Sequence, residues 1–291
     1  MSTEHGDSTR LRSVPREAVD ESDVRYTGGM TETADRLVHV FRHPGETIVS
    51  ATLDRVAALF GLAGATEHFE VEYQRHLGYV GQHLARGVLR DCEADFSQVT
   101  EWFSGLVPAH LPFRVSIVRG SFGAFHDSCA DTHLRCAAFD GYNGELVEML
   151  NMAEAVEVFS AAQSAGWDCG ASNGEGLSRV LATELHPTQL DGFATAGDWL
   201  NSPRENFVDH NDPSDRNPQS TGCAVLFLNY LHYQLGYDWR SVVAHPGPTL
   251  AASYRALQNR DDGWEEFSTL LARHYPPGRY ARVTTDNVFP L

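Results

Sequence analysis

The chain has 291 residues, of which 42% are hydrophobic and 21% are charged, a composition typical of globular proteins with a substantial core. Its 39 acidic and 22 basic residues give a formal net charge of -17, which disfavours nucleic acid and anionic membranes as partners. No stretch approaches the roughly 18 to 20 consecutive apolar residues of a membrane span. The N-terminal residues lack the apolar segment of a secretory signal. We therefore expect a cytoplasmic protein as sequenced, with a secreted mature form left open.

Composition divides the chain into two regions. Residues 1–30 are rich in Ser, Thr, Glu and Asp and predict a disordered tail. Residues 31–291 are expected to form a single domain. Its sheet-containing half covers about residues 31–165 and its helical half about residues 166–280.

The first elements of the domain are predicted from mixed patterns. Loosely alternating apolar and polar residues favour a hairpin over Leu37–Ile48. Apolar spacing then favours a helix over Thr52–Phe60 and a long helix over Phe69–Phe103. The long helix is expected to break or kink near one of three glycines, Gly78, Gly81 or Gly87.

A small sheet and a series of helices are predicted next. Period-two alternation indicates strands over Phe113–Val118 and Leu134–Phe139. An apolar stripe predicts a helix over Glu145–Gln163, and another is expected over Gly174–Leu185. The remaining predicted helices are Leu190–Leu200, one from Ser220 or Thr221 to Leu235, Trp239–Val243, Thr249–Leu257 and Trp264–Tyr275. This order predicts an α+β, predominantly helical fold with a small antiparallel or mixed sheet.

Two segments carry a resemblance to a known superfamily. The first predicted helix after the sheet contains Ala153-Glu154-Ala155-Val156-Glu157, and the next begins Asn173-Gly174-Glu175-Gly176-Leu177-Ser178. In order and spacing, about residues 69–275 resemble the zincin (gluzincin-like) metallopeptidases. These have a small sheet, a helix with His-Glu-x-x-His and a following helix that supplies a third ligand, often as Glu-Gly-Leu. The His-Glu-x-x-His motif is degenerate here.

The resemblance implies a role for each carboxylate. Ala153 and Glu157 stand where the two zinc-binding histidines are expected, and Glu154 stands where the general base is. Glu157 and Glu175 would be metal ligands, and the implied chemistry is hydrolysis of a peptide or amide. Zincins often stabilise the oxyanion with a downstream tyrosine, and Tyr230 or Tyr233 would take that role.

The loss of both histidines leaves the metal undecided. Carboxylates suit a hard cation better than zinc, so zinc, a harder divalent cation and no metal all stay open. A Glu pair at i and i+3 is also typical of the solvated side of a helix. Glu175 is favoured by the helix dipole if it lies in a first turn. A catalytically inactive relative that binds a peptide or protein partner is therefore an alternative. A metal-independent acid–base enzyme acting on a small molecule is another.

A second cluster of potential ligands precedes these helices. His126, Cys129, His133 and Cys136 lie within eleven positions, so they could bind zinc. A Cys129–Cys136 disulfide or free thiols beside the sheet are the alternatives.

Three further features have alternative interpretations. Cys169 could bond to Cys223 if the protein is secreted, or act as a nucleophile with His186 as its base. The loop Asp209–Asn217 is rich in oxygen donors and predicts either turn-capping side chains or a calcium site or lid. His39 and His43 have metal-ligand spacing only if a helix forms there, which the following Pro44-Gly45 disfavours.

Overall fold

The computed structural model describes residues 59–120, 123–138, 144–213 and 217–285. The predicted tail, the predicted hairpin at residues 37–48 and both His39 and His43 lie outside these ranges. Of the helix predicted over residues 52–60, only the last two residues are described. Phe60 begins a strand there, so the predicted helix does not extend to that residue.

A mixed five-stranded sheet precedes most of the helices. Its strands are β1 (Phe60–Ala65), β2 (Phe69–Gln74), β3 (Phe113–Arg119), β4 (Ala124–Phe125) and β5 (His133–Ala138). They lie in the order β1-β2-β3-β5-β4. The inner pairs β2–β3 and β3–β5 are parallel, whereas β1–β2 and β5–β4 are antiparallel. The prediction of a small sheet in an α+β, mainly helical protein is confirmed.

The helix predicted over Phe69–Phe103 is wrong in its first part. Residues 69–74 form β2, and helix α1 (Gly78–Trp102) begins only after a turn of 3-10 helix. Phe69 and Val71 alternate with polar residues and are fully buried, a period-two pattern that the longer helical pattern obscures. Gly78, with φ of 57°, starts α1, so the break expected near one of three glycines lies at Gly78, and α1 continues through the two later ones.

Seven described α-helices follow the sheet, and each overlaps one of the predicted helices. They are α2 (Gly144–Gln163), α3 (Ser172–Leu185), α4 (Ala194–Leu200), α5 (Pro218–Asn229), α6 (Trp239–Val243), α7 (Leu250–Gln258) and α8 (Gly263–His274). Asn217, not Ser220 or Thr221, caps α5, because its side chain accepts from two backbone N–H groups of the first turn. Among the described residues, no helix is long and apolar enough to cross a membrane.

Helix α2 lies at the centre of the packing. It contacts α1, α3 and strands β4 and β5. Phe159 of α2 joins an aromatic cluster with Phe96 and Phe103 of the α1 region. Nearly every residue from Val147 to Ser160 is buried, and Glu148 and Glu157 are among them. Because α2 has little solvated surface, its acidic residues must find partners inside the protein.

The start of α3 is fixed against two loops. The Asn211 side-chain oxygen accepts hydrogen bonds from Ser172 Oγ at 2.7 Å and from the Asn173 backbone N–H at 3.1 Å. Gly174 lies directly against the α2–α3 loop, where a Cβ on this residue would be only 2.1 Å from the backbone oxygen of Asp168. This close contact sets the position of Glu175, the next residue.

We expect Gly174→Ala to lower the free energy of unfolding by about 1–3 kcal/mol, because the added methyl group overlaps backbone atoms that cannot rotate away. Gly197→Ala in α4 is the matched control, since a Cβ on Gly197 would have no other atom within 4 Å. It should raise the free energy of unfolding by roughly 0.5–1 kcal/mol, as is usual for a glycine inside a helix. Urea denaturation measures both. Equal midpoints for Gly174→Ala and wild type would contradict the close contact.

Candidate functional site

Three glutamates that the sequence singled out meet in the structure. Glu154 and Glu157 extend from α2, and Glu175 extends from the first turn of α3. Their side chains are 12%, 8% and 15% exposed, respectively. All three line two adjoining cavities of about 310 and 260 Å³. The alternative of a Glu pair on the solvated side of a helix is therefore wrong, because α2 is buried on that side as well.

Glu157 is the central carboxylate of this cluster. Its Oε1 accepts a hydrogen bond from Ser178 Oγ of α3 at 3.1 Å. Its Oε2 lies 3.1 Å from His126 Nε2, in the segment between β4 and β5. Glu157 therefore joins three separate parts of the chain. Each of its oxygens has a partner, which a buried carboxylate requires.

His126 brings an imidazole to the carboxylate cluster. Its side chain is 5% exposed, and its Nε2 also lies 3.8 Å from Glu154 Oε2. Its Nδ1 lies 3.2 Å from the backbone oxygen of Asp131. Because a carbonyl only accepts, Nδ1 carries the proton, and Nε2 faces the carboxylates. Burial lowers the pKa of His126, but the hydrogen bond to Glu157 and the charges of Glu154 and Glu157 outweigh it and raise this pKa overall.

Glu175 is paired with a guanidinium on its own helix. Arg179 Nε donates to Glu175 Oε1 at 2.9 Å, and a second nitrogen of the same guanidinium also contacts that oxygen. Burial raises the pKa of Glu175 to about 7. Arg179 opposes this rise, and the neighbouring carboxylate of Glu157 adds to it.

The pKa of Glu154 is raised further than that of Glu175. Burial and then the charge of Glu157 raise the pKa of Glu154 to about 8, while His126 works in the opposite direction. The cluster thus has three carboxyl groups and two partners able to carry positive charge, His126 and Arg179. In this setting the pKa of a carboxyl group reaches the neutral range, as is common at functional sites.

The donor atoms of His126 and Glu157 are spaced as two ligands of one divalent cation would be. His126 Nε2 is 3.1 Å from Glu157 Oε2 and 3.8 Å from Glu154 Oε2. Metal–ligand distances of about 2.0–2.2 Å place neighbouring ligands roughly 3–3.6 Å apart, close to these separations. One imidazole with carboxylates suits zinc, manganese or iron.

The two tyrosines proposed for an oxyanion role lie elsewhere. The Tyr230 hydroxyl donates to Glu266 Oε2 at 3.3 Å, and the Tyr233 hydroxyl donates to Glu184 Oε2 at 3.1 Å. Neither tyrosine lines the cavities beside the three glutamates. The structure does not bring them to the site.

The second predicted ligand cluster does not assemble as a unit. Cys129 is bonded to Cys169, not to Cys136, so the predicted Cys129–Cys136 disulfide is wrong. Cys136 is a fully buried free thiol of β5, and His133 Nε2 lies 2.8 Å from Ser116 Oγ of β3. His133 and Cys136 are three residues apart on an extended strand, so their side chains point to opposite faces.

The structure also places the remaining cysteines and the described part of the 209–217 loop. Cys223 is a free buried thiol of α5, so a Cys169–Cys223 disulfide is wrong. His186 Nε2 lies 3.3 Å from Asp95 Oδ2, and Cys169, being in a disulfide, is not a nucleophile in this state. In the described part of the 209–217 loop, Asn211 and Asn217 cap helices, as one of the two interpretations predicted.

Sequence reasoning missed two residues of the site, Ser178 and Arg179. A signal for Arg179 was present, because Glu175 and Arg179 have the i, i+4 spacing of a helical ion pair. His126 was singled out, but as part of a different site. Nothing local in the sequence indicates that the β4–β5 segment reaches α2.

No family model matches the sequence, and comparison with curated proteins and with solved structures also finds no match. The geometry described above therefore carries the functional interpretation.

The raised pKa of Glu154 predicts a pH-dependent stability difference for Glu154→Gln. In the wild type this carboxyl keeps its proton up to about pH 8, whereas its ordinary value is 4.5. The folded state then binds more protons than the unfolded chain across that window. The wild-type free energy of unfolding should fall as pH rises from 4.5 to 8, by at most about 1.4 kcal/mol per pH unit from this group. Glutamine does not titrate, so the variant should gain stability relative to wild type over the same window.

Urea denaturation of metal-free protein at several pH values measures this difference. Glu101→Gln is the control, because Glu101 is exposed at the end of α1 and the same substitution is made outside the cluster. If the free energy of unfolding of Glu154→Gln changes with pH in parallel with that of the wild type from pH 4.5 to 8, the pKa of Glu154 is not raised in the folded protein.

Proposed function

We propose that the protein is a metal-dependent hydrolase of peptide or amide bonds, with a zincin-like arrangement and an altered ligand set. One observation carries the proposal. Three carboxylates on successive helices converge with the buried Nε2 of His126 in the wall of a cavity. The positions of Glu154, Glu157 and Glu175 support a zincin-like order of elements. His126 supplies an imidazole from a different part of the chain.

The ligand roles are assigned from the contacts. Glu157 and His126 would hold the cation, and Glu175 would complete the set with its second oxygen. The hydrogen bond from His126 Nδ1 to the Asp131 carbonyl fixes the tautomer that leaves Nε2 available, a common arrangement behind metal-binding histidines. A bound divalent cation supplies an activated water and polarises the carbonyl that is attacked.

Glu154 is assigned as the general base. It stands between both cavities and close to His126, without an ion pair to Arg179. A base works best when its pKa is near the operating pH. It would take a proton from the attacking water and deliver it to the leaving amine. Arg179, which lines the larger cavity, would stabilise negative charge that develops on the substrate oxygen.

The neighbouring strand suits an extended substrate. Among the described strands β4 lies at one end of the sheet, and Ala124 of this strand lines both cavities. An extended peptide could add to such an edge through backbone hydrogen bonds. Met149, Leu150 and Ala153 also line the larger cavity, which favours a small or apolar substrate side chain beside the carboxylates.

A second candidate function follows from the charges. The positive groups of His126 and Arg179 balance Glu157 and Glu175 when Glu154 keeps its proton. The cluster can therefore be neutral without a cation. In that state Glu154 is an acid beside a carboxylate, an arrangement that supports acid–base chemistry on a small molecule. Hydrolysis or proton transfer that survives a chelator would favour this candidate.

Variants of the proposed ligands and of the proposed base should differ in their effects on metal content and on activity. Glu154→Gln should lower kcat by about 10²- to 10⁴-fold toward a fluorogenic peptide library, with the metal content unchanged, because it removes only proton transfer. Glu157→Gln and His126→Ala should lower the metal content, measured by elemental analysis after dialysis against zinc or manganese. Activity should fall with it.

Glu148→Gln is the matched control, because it changes another buried glutamate of α2. Glu148 contacts Arg90 at 3.1 Å and lines a different cavity. The control should retain both metal and activity. Full metal binding in Glu157→Gln, or no hydrolysis by wild-type protein loaded with either metal, would contradict the proposal.

A further inference from the structure

A disulfide forms part of the wall of the smaller cavity. Cys129, in the β4–β5 segment, is bonded to Cys169, in the α2–α3 loop. Both cysteines line the cavity of about 260 Å³ together with His126 and Glu157. Each is half-buried, so small reagents can reach the bond. The described free cysteines Cys92, Cys136 and Cys223 are buried.

The sulfurs lie within reach of the ligands already described. One ligand atom each from His126, Glu157 and Cys169 all lie within 4.8 Å of one another. Atoms of Cys129, Asp168 and Cys169 form a second group of the same size. While the sulfurs are bonded to each other, neither can carry the negative charge that a thiolate ligand needs.

We propose that reduction of the Cys129–Cys169 disulfide creates a zinc site made of Cys169, His126 and Glu157, with Cys129 as the fourth ligand. A dithiol reductant gives two electrons and two protons to the sulfurs and becomes a disulfide itself. Zinc then displaces the thiol protons, and its oxidation state does not change. The inference shares the location of the proposed hydrolase site, but it does not depend on hydrolysis.

Both cysteines are held in place by bonds other than the disulfide. The turn that carries Cys169 is closed by the Ala171 N–H, which donates to the Asp168 backbone oxygen at 3.0 Å. The Gly170 N–H also donates to the Asp168 side chain at 2.9 Å. In the other segment, the Asp131 N–H donates to the Ser128 oxygen at 2.7 Å. These contacts keep the sulfurs near His126 and Glu157 after reduction.

The chemistry of the two states differs in a defined way. The oxidised site offers carboxylates and one imidazole, which suit manganese, iron and zinc alike. The reduced site adds one or two thiolates, which are soft ligands and select zinc. The redox state of the disulfide would therefore decide how tightly zinc is held in the cavity.

The test compares zinc affinity of the full-length protein before and after reduction with a phosphine. Competition with a chromophoric chelator gives the affinity, and cobalt(II) reports thiolate ligation through its charge-transfer absorption. We expect reduction to tighten zinc binding on the order of 100-fold, since even partners behind the ligands change metal affinity by about 10- to 100-fold. The cobalt complex of reduced protein should show the thiolate band, and that of oxidised protein should lack it.

Three cysteine variants identify which sulfur binds zinc. Cys129→Ser leaves Cys169 as a permanent thiol, so it should bind zinc more tightly than oxidised wild type even without reductant. Cys169→Ser should lose most of the gain and weaken the cobalt band. Cys92→Ala removes a buried thiol of α1 outside the cluster and should behave as wild type.

Equal zinc affinities of oxidised and reduced protein would overturn the inference, as would a gain that persists in Cys169→Ser. Loss of the helical circular dichroism signal on reduction and in Cys129→Ser would also overturn it, because the disulfide would then be a structural brace. These readouts do not use substrate. A protein without hydrolase activity that still shows the redox-dependent affinity would refute the proposed function and support the zinc site.

Discussion

The buried carboxylate of Glu157 is the interaction on which the rest of the site depends. A charged group at this depth is unstable without hydrogen-bonding partners. Ser178 supplies one from α3, and His126 supplies the other from the β4–β5 segment. Both elements must therefore be held against α2. The contact of Gly174 with the α2–α3 loop, the capping of α3 by Asn211 and the Cys129–Cys169 bond all hold them there.

The same packing brings together more buried carboxyl groups than stability alone would favour. Glu154 adds a third carboxyl group next to Glu157, and the imidazole of His126 lies 3.8 Å from it. Replacement of such a cluster by apolar residues of similar size is often neutral or stabilising. A bound cation, proton transfer or both would account for the clustered carboxyl groups. This is why we connect the geometry with catalysis and not with fold stability.

The sequence was sufficient for the helices that carry the carboxylates and insufficient for what surrounds them. Periodicity placed α2 and α3 nearly residue for residue, and the degenerate motif selected Glu154, Glu157 and Glu175. Closeness in the sequence was a poor guide to contacts in the folded structure. The closeness of His126 and Cys129 to His133 and Cys136 in the chain suggested one metal site. Strand geometry instead places His133 and Cys136 on opposite faces of β5, and His126 and Cys129 lie in the segment before it. The carboxylate partners of His126 and the disulfide partner of Cys129 are 28 or more positions away, a separation that no local pattern encodes. Strand β2 was hidden by the helical pattern that follows it.

The central claim is that His126, Glu157 and Glu175 form a cation site beside Glu154. The most direct measurement is an anomalous difference map from crystals grown with manganese. We predict a single strong peak about 2.0–2.3 Å from His126 Nε2 and from oxygens of Glu157. Carboxylates that converge without a peak at saturating manganese, or that point to bulk solvent, would contradict it.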